Sequence, residues 1–369
     1  MRRILQRLMP GTRVTAESER PAPGPGKKLI NLALQGGGAH GAFTWGVIDH
    51  LLDDGRLQVE GISGASAGAV NAILLADGLA RGGPAEARKR LAEFWRAASS
   101  GGSLSSLQQG VVEQLFSFLP VDNTPARLWF NALSRYFSPY ALNPLNINPL
   151  KSLIERFVDF EAVRCCSALQ LFISATNVHT GRLHVFSRDK MTADVIAASA
   201  CLPFLFQAVE IDGVPYWDGG YLGNPAIFPF FHTTATEDVL IVQLNPLERK
   251  MTPTTSREIV NRLNEITFNS SLLAEVRAIE FVARLIDQQR LPHGTGPGQY
   301  RKIKLHRIVL DGLGKSYTAD TKLSTDYDFF EMLRTAGRRA ARRFLDEHFA
   351  DINMRSTIDL TAESHAEWA

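Results

Sequence analysis

The sequence predicts an α/β fold of three layers, a mainly parallel central sheet flanked by helices. Apolar runs of strand length alternate with longer segments of helical spacing along most of the 369 residues. Alternation of that kind builds parallel sheets covered on both faces. Two glycine-rich turns each stand between a predicted strand and a predicted helix. With 45% hydrophobic and 21% charged residues, the chain also carries enough apolar material for one large core.

The first strand spans 28–34, and a glycine cluster separates it from a helix over 42–52. A second strand, 59–63, leads into a helix of small residues starting near Ala67. Further strands fall at 169–177, 239–245 and 302–310. Helices fall near 194–201, 256–289 and 327–349, and no internal repeat is visible.

The domain is assigned to residues 28–350. Residues 1–27 read as a flexible lead ending in a Pro/Gly run over 21–26, and 351–369 read as a C-terminal tail. In the lead, Arg2, Arg3 and Arg7 flank Ile4, Leu5 and Leu8, a composition able to touch an anionic lipid surface or to remain a solvated tail. Residues 103–150 break the strand–helix rhythm. They are rich in aromatics (Phe116, Phe118, Trp129, Phe130, Tyr136, Phe137, Tyr140) and in turn formers such as Pro139 and Pro144. An insertion shaping an acyl-chain pocket or facing a bilayer has this composition, and so has a helical subdomain that buries its aromatics.

Charge excludes one class of partner. The 40 Lys+Arg against 38 Asp+Glu leave a net charge of +2, without the basic excess that nucleic acid selects. Three cysteines, Cys165, Cys166 and Cys201, match neither a zinc site nor a disulfide framework. A reducing, cytoplasmic location is the expectation. The first residues lack a signal peptide's apolar stretch, and no run of ~18 apolar residues appears. The chain is expected to be soluble or peripheral, with anionic membrane as a contact. Arg334, Arg338, Arg339, Arg342 and Arg343 recur along the last helix and suit either lipid head groups or a solvated face. No H-E-x-x-H or EF-hand spacing occurs, so no metal or cofactor is expected.

Three short segments carry chemistry. Gly64-Ala-Ser-Ala-Gly68 follows a strand and precedes a helix. There G-x-S-x-G turns the chain sharply, exposes Ser66, and needs small residues where the backbone crowds. The helix beyond it aims free N–H groups at the same point. Gln35-Gly-Gly-Gly-Ala-His-Gly41 leaves main-chain N–H groups unobstructed, suiting a phosphate or a carbonyl oxygen that becomes negative. It lacks the Gly-Lys-Ser/Thr of a P-loop and fits G-x-G-x-x-G poorly. Tyr216-Trp-Asp-Gly-Gly-Tyr221 taken alone reads as a turn, since Asp-Gly is common in hairpins.

Taken together, and in this order, the three segments resemble the patatin-like phospholipase family. Ala197-Ala-Ser-Ala-Cys-Leu-Pro203 is similar to that family's Ala-Ser-x-x-x-Pro stretch, and the resemblance covers roughly residues 28–230. It implies a patatin-like fold and a lipid acyl hydrolase acting on acyl esters, phospholipids first, then neutral glycerides or storage polyesters. It further implies Ser66 as nucleophile and Asp218 as its base, a dyad without histidine. Gly36, Gly37 and Gly38 correspond to the oxyanion loop, with Ala67 as a further donor and Gly64 and Gly68 as the elbow glycines. Many members carry Arg or Lys where this chain has His40, so no fixed positive charge beside the loop is implied. An unperturbed Asp is a weak base near neutrality, with a pKa of ~3.9; partial burial would strengthen it.

Two alternatives stay open at this level. A Ser-Asp-His triad would draw on His232, His293, His306, His348 or His365, all beyond Asp218. A non-catalytic lipid-binding scaffold on the same fold would need none of the three segments intact.

Overall fold

The computed structural model describes residue 24 and residues 26–99, 138–310 and 324–360. Its centre is an eight-stranded sheet: β1 (Lys28–Leu34), β2 (Leu57–Gly64), β3 (Gln170–Asn177), β4 (Arg182–Ser187), β5 (Val209–Ile211), β6 (Val214–Asp218), β7 (Asp238–Gln243) and β8 (Lys304–Val309). The helices that cover it are α1 (Gly41–Asp54), α2 (Ala67–Ala97), α3 (Pro149–Phe157), α4 (Phe160–Cys165), α5 (Ala193–Ser199), α6 (Ser256–Asp287) and α7 (Tyr327–His348). Among the described residues, no helix is long and apolar enough to cross a membrane.

The sheet order is β5-β6-β3-β2-β1-β7-β8, with β4 paired to β3. β3, β2, β1, β7 and β8 run parallel. The expectation of a mainly parallel sheet therefore holds for these five strands; β4 and β6 pair antiparallel with β3, and β5 pairs antiparallel with β6. Successive residues point to opposite faces of a strand. Accordingly, Leu240 and Val242 of β7 enter the core under α1, α2 and α7, whereas Val239 and Ile241 enter the core under α6. Covered on both faces, β1 and β7 read as near-continuous apolar runs.

The antiparallel strands place the chemistry. Along β3, Gly61–Gly64 of β2 pair with 170–173, and Tyr216–Asp218 of β6 pair with 175–177. β4 spans Phe172–Asn177 on the opposite edge. β2 and β6 thus share one edge of β3 and meet end to end, Gly64 opposite Ile173 and Asp218 opposite Ala175. The hairpin joining β5 to β6 turns on Asp212 and Gly213, with φ of 51° and 75°. This pair supplies the positive-φ turn that the sequence equally offered to Asp218-Gly219.

Helices α1 and α7 approach closely through glycine. A Cβ on Gly46 would collide with the Arg334 carbonyl, and one on Gly337 with the Phe43 carbonyl. Beside that crossing, buried Asp49 accepts from Arg88 at 2.6 Å, Arg334 at 3.0 Å and Arg338 at 2.5 Å. Arg334 also lies over the Trp45 ring, 4.6 Å from its centroid. Arg334 and Arg338 are therefore committed to the body of the protein, while Arg339, Arg342 and Arg343 face solvent.

The chain after α7 is not a loose tail over its described part. Lys28 Nζ donates to the carbonyls of Phe349 (2.7 Å) and Ile352 (2.7 Å), and Ile352 is fully buried. Further on, Thr357 N–H donates to Leu305 O, and Ile358 and Leu360 pack against the core under α6. The body thus continues to Leu360, and residues 351–360 cross from one face of the sheet to the other. The aromatics Phe116 to Phe137 of the expected insertion, the lead to residue 23 and residues 361–369 lie outside the described residues. Within the described end of that insertion, Tyr140, Leu145 and Ile147 are exposed.

Candidate active site

Ser66 lies between the end of β2 and the start of α2, half-buried, with φ 53° and ψ −122°. For a residue with a side chain this is a strained conformation, held only where the surroundings over-determine it. The flanking glycines are steric requirements. A Cβ on Gly64 would lie 2.5 Å from Gly68 O, and one on Gly68 would collide with Leu34 O. The Ser66 N–H donates to Ser199 Oγ at 3.0 Å.

The glycine loop packs directly on this turn. A Cβ on Gly36 would stand 2.8 Å from Ser66 Cβ. The Gly36 N–H donates to Asn224 Oδ1 at 2.6 Å, and its carbonyl accepts from Asn245 Nδ2 at 2.9 Å. Gln35 anchors the loop from below: its Oε1 accepts the Leu244 and Asn245 N–H groups at 2.9 Å, and its Nε2 donates to Asn269 Oδ1 at 2.9 Å. Gly38 takes φ 58°, a conformation natural to glycine. Among the described residues, none accepts a hydrogen bond from the N–H of Gly37, Gly38 or Ala67. His40 is buried at the start of α1, its ring centroid 6.3 Å from that of Phe329.

Asp218 ends β6 and is fully buried. Its Oδ1 accepts the Gly220 N–H at 2.7 Å, capping the short turn 219–221. Its carbonyl accepts from Thr176 Oγ1 at 2.8 Å, and its N–H donates to Cys201 O at 2.8 Å. Both glycines after it are sterically fixed, since a Cβ on Gly219 would collide with Ser174 O and one on Gly220 with the Phe268 ring. Burial, with the Asp218 carboxylate close by, pushes the Cys201 thiol and the Tyr221 phenol each up to about 12. Both groups therefore stay protonated near neutrality.

Three of the five histidines of the triad alternative are engaged elsewhere, and His232 is exposed. His306 is fully buried halfway along β8, between Asp238 Oδ1 (2.9 Å) and Thr357 Oγ1 (3.2 Å). His293 faces Glu237 and His348 faces Asp351; His365 lies outside the described residues.

Sequence reasoning names Ser66, Asp218 and the glycines as the candidates. It missed Asn224, Gln35 and Ser199 as supports, because each acts across a long separation: 188 residues from Asn224 to Gly36 and 133 from Ser199 to Ser66. The Ala-Ser-x-x-x-Pro similarity was the signal that could have singled out Ser199.

A fold of this kind, with a serine on a strained strand–helix turn beside a glycine loop, belongs to the ester hydrolases. The chain belongs to the patatin-like phospholipase family, whose profile matches residues 32–231, more than half of its length. Among solved structures it is similar to VipD from Legionella pneumophila, with 15% identity over 94% of this chain and 73% of that one, TM-score 0.37. It is also similar to the type III effector protein ExoU, with 17% identity over 88% of this chain and 53% of that one, TM-score 0.33. A third match is the heterodimeric ExoU–SpcU complex from the type III secretion system of Pseudomonas aeruginosa, with 18% identity over 72% and 60%, TM-score 0.28. The chain spans little more than half of the ExoU chain. No curated protein matches the sequence.

Proposed function

We propose that this protein hydrolyses fatty acyl esters of lipids through a Ser66–Asp218 dyad and an acyl-enzyme. The observation that carries the reading is the edge of β3 shared by β2 and β6, which brings the serine turn and the aspartate end to end. A serine hydroxyl attacks only when a neighbouring base takes its proton. Asp218 accepts it as Ser66 Oγ bonds to the ester carbonyl carbon. The tetrahedral oxyanion takes hydrogen bonds from the N–H groups of Gly37, Gly38 and Ala67. Gly36, expected as a fourth member of that set, serves instead by close approach, since its own N–H is committed to Asn224. Collapse expels the alcohol or lysolipid, protonated from Asp218, and leaves the acyl group on Ser66. Water, deprotonated by Asp218, then releases the fatty acid.

Exposed apolar side chains on two joined segments support a lipid substrate. Phe204 and Leu145 are each 80% exposed, and Tyr140 and Ile147, in the same segment as Leu145, are exposed as well. The two segments are joined where Gln207 Nε2 donates to Asn143 O and the Ala208 N–H to Tyr140 Oη. Large exposed apolar patches mark lipid or protein contact.

The test is fluorophosphonate labelling beside hydrolysis of a medium-chain nitrophenyl ester, for wild type, Ser66→Ala and Asp218→Asn. Labelling and turnover in wild type, both lost in Ser66→Ala, with turnover lost in Asp218→Asn, are expected. Full activity in either variant discards that assignment. Lipid binding with no labelling of wild type would favour a scaffold.

A further inference from the structure

Ser199 reaches the backbone of one member of the dyad, and Cys201 that of the other. Ser199 Oγ accepts the Ser66 N–H at 3.0 Å, and Cys201 O accepts the Asp218 N–H at 2.8 Å. Ser199 is the last residue of α5, and both Ser199 and Cys201 are fully buried. The register on β3 fixes Gly64 and Asp218 but not Ser66, which lies past the end of β2 in the turn. The amide of a residue preceding a helix has no intrahelical partner, and at φ 53° the Ser66 backbone needs outside support to hold its conformation.

We infer that Ser199 is a positioning residue for the nucleophile, and that the segment 199–201 is a spacer setting Ser66 against Asp218. The inference rests on the proposed roles of those two residues. The Ser199 hydroxyl oxygen is the acceptor, so threonine retains the function and alanine removes it. Cys201 contributes only its carbonyl to the spacer; its thiol donates to Gln207 O at 3.1 Å.

The experiment compares the full chain as wild type, Ser199→Ala and Ser199→Thr. It reads kcat and KM on the nitrophenyl ester, the fluorophosphonate labelling rate per folded molecule, Tm, and hydrogen exchange of the Ser66 amide. Misplacing a reacting group by about 1 Å lowers rates ~10²-fold. Ser199→Ala is therefore expected to lose ~10–100-fold in kcat and labelling rate, with KM little changed, and Ser199→Thr to recover most of it. The Ser66 amide should exchange slowly in wild type and faster in Ser199→Ala. A role confined to stability would lower Tm and leave the rate per folded molecule untouched, and that result overturns the inference. So does a Ser199→Thr variant with wild-type Tm that is as slow as Ser199→Ala. Should Ser199→Ala fail to fold, rapid exchange of the Ser66 amide in wild type overturns the inference and slow exchange upholds it. Absence of labelling in wild type would instead count against Ser66 as nucleophile.

Discussion

Asn224 Oδ1 accepts the Gly36 N–H at 2.6 Å, while Asn224 Nδ2 donates to Phe268 O at 3.1 Å. One buried side chain thus ties the glycine loop to α6. In Asn224→Ala the Gly36 N–H is buried without a partner, a loss of ~1–3 kcal/mol. The loop that would hold the oxyanion also loses its brace, so turnover should fall ~10–100-fold. Thermal unfolding and kcat of one preparation check both effects; a folded Asn224→Ala with wild-type kcat would refute the brace.

Glu275 of α6 accepts the N–H groups of Ile227 and Phe228 through one oxygen, at 2.8 and 2.9 Å. Burial pushes its carboxyl up from the ordinary 4.5 to about 7, against the lowering effect of those two bonds. Between these values the native state binds more protons than the unfolded chain, so native stability falls as pH rises through that window and levels off above about 7. Glu275→Gln keeps an acceptor oxygen and cannot ionise. It should be more stable than wild type by ~1–3 kcal/mol at pH ~8, with the gain vanishing below pH ~4.5. Denaturant titrations at the two pH values decide it; an equal difference at both would contradict the assignment.

Asp49 shows the opposite linkage. Burial pushes its carboxyl up, but hydrogen bonds from Arg88, Arg338 and Arg334 more than offset this and hold it below the ordinary value. Its stabilisation is present above the unfolded pKa and is lost as pH falls through the lower folded one. The arginines keep 29–34% side-chain exposure, which screens the effect. Asp49→Asn should lose ~1–3 kcal/mol near neutrality, and the gap to wild type should narrow in acid. A gap that stays constant down to pH ~3 would count against the charge as its source.

Gly46 and Gly337 allow α1 and α7 to touch backbone to backbone. Gly46→Ala must push a helix carbonyl aside and should destabilise by ~1–3 kcal/mol, even though alanine is the better helix former. Calorimetry of Gly46→Ala and Gly337→Ala, alone and together, would show less than additive loss if the clash is shared.

The parts of the fold legible in the sequence are those whose signal is local. β1 is an apolar run ending at a glycine cluster, the 59–63 strand stands directly before G-x-S-x-G, and α6 and α7 are long and periodic, with ends matching to within two residues. β4, β5 and β6 were not anticipated. β5 has three residues and β6 five, with Pro215 among them, too short and irregular to show a period of two. Asp212-Gly213 and Asp218-Gly219 carry the same turn signal. Only pairing with β3 decides that the first closes a hairpin and the second ends a strand. The supports of the site stayed hidden for a similar reason. A lone buried serine or asparagine carries no local pattern that names a partner more than a hundred residues away.

The tight turn at Asp212-Gly213 also bears on how the protein comes into being. The hairpin it closes joins neighbours such as Ile211 and Val214, and local hairpins form in ~1–10 μs. The sheet beneath Ser66 requires pairings such as Asn31 with Val239, and parallel contacts so distant in sequence form slowly. The aspartate is delivered on a hairpin closed by local contacts, the serine on a framework that waits for the whole chain. In a refolding experiment, reactivity toward the fluorophosphonate should return only after the far-ultraviolet signal has recovered.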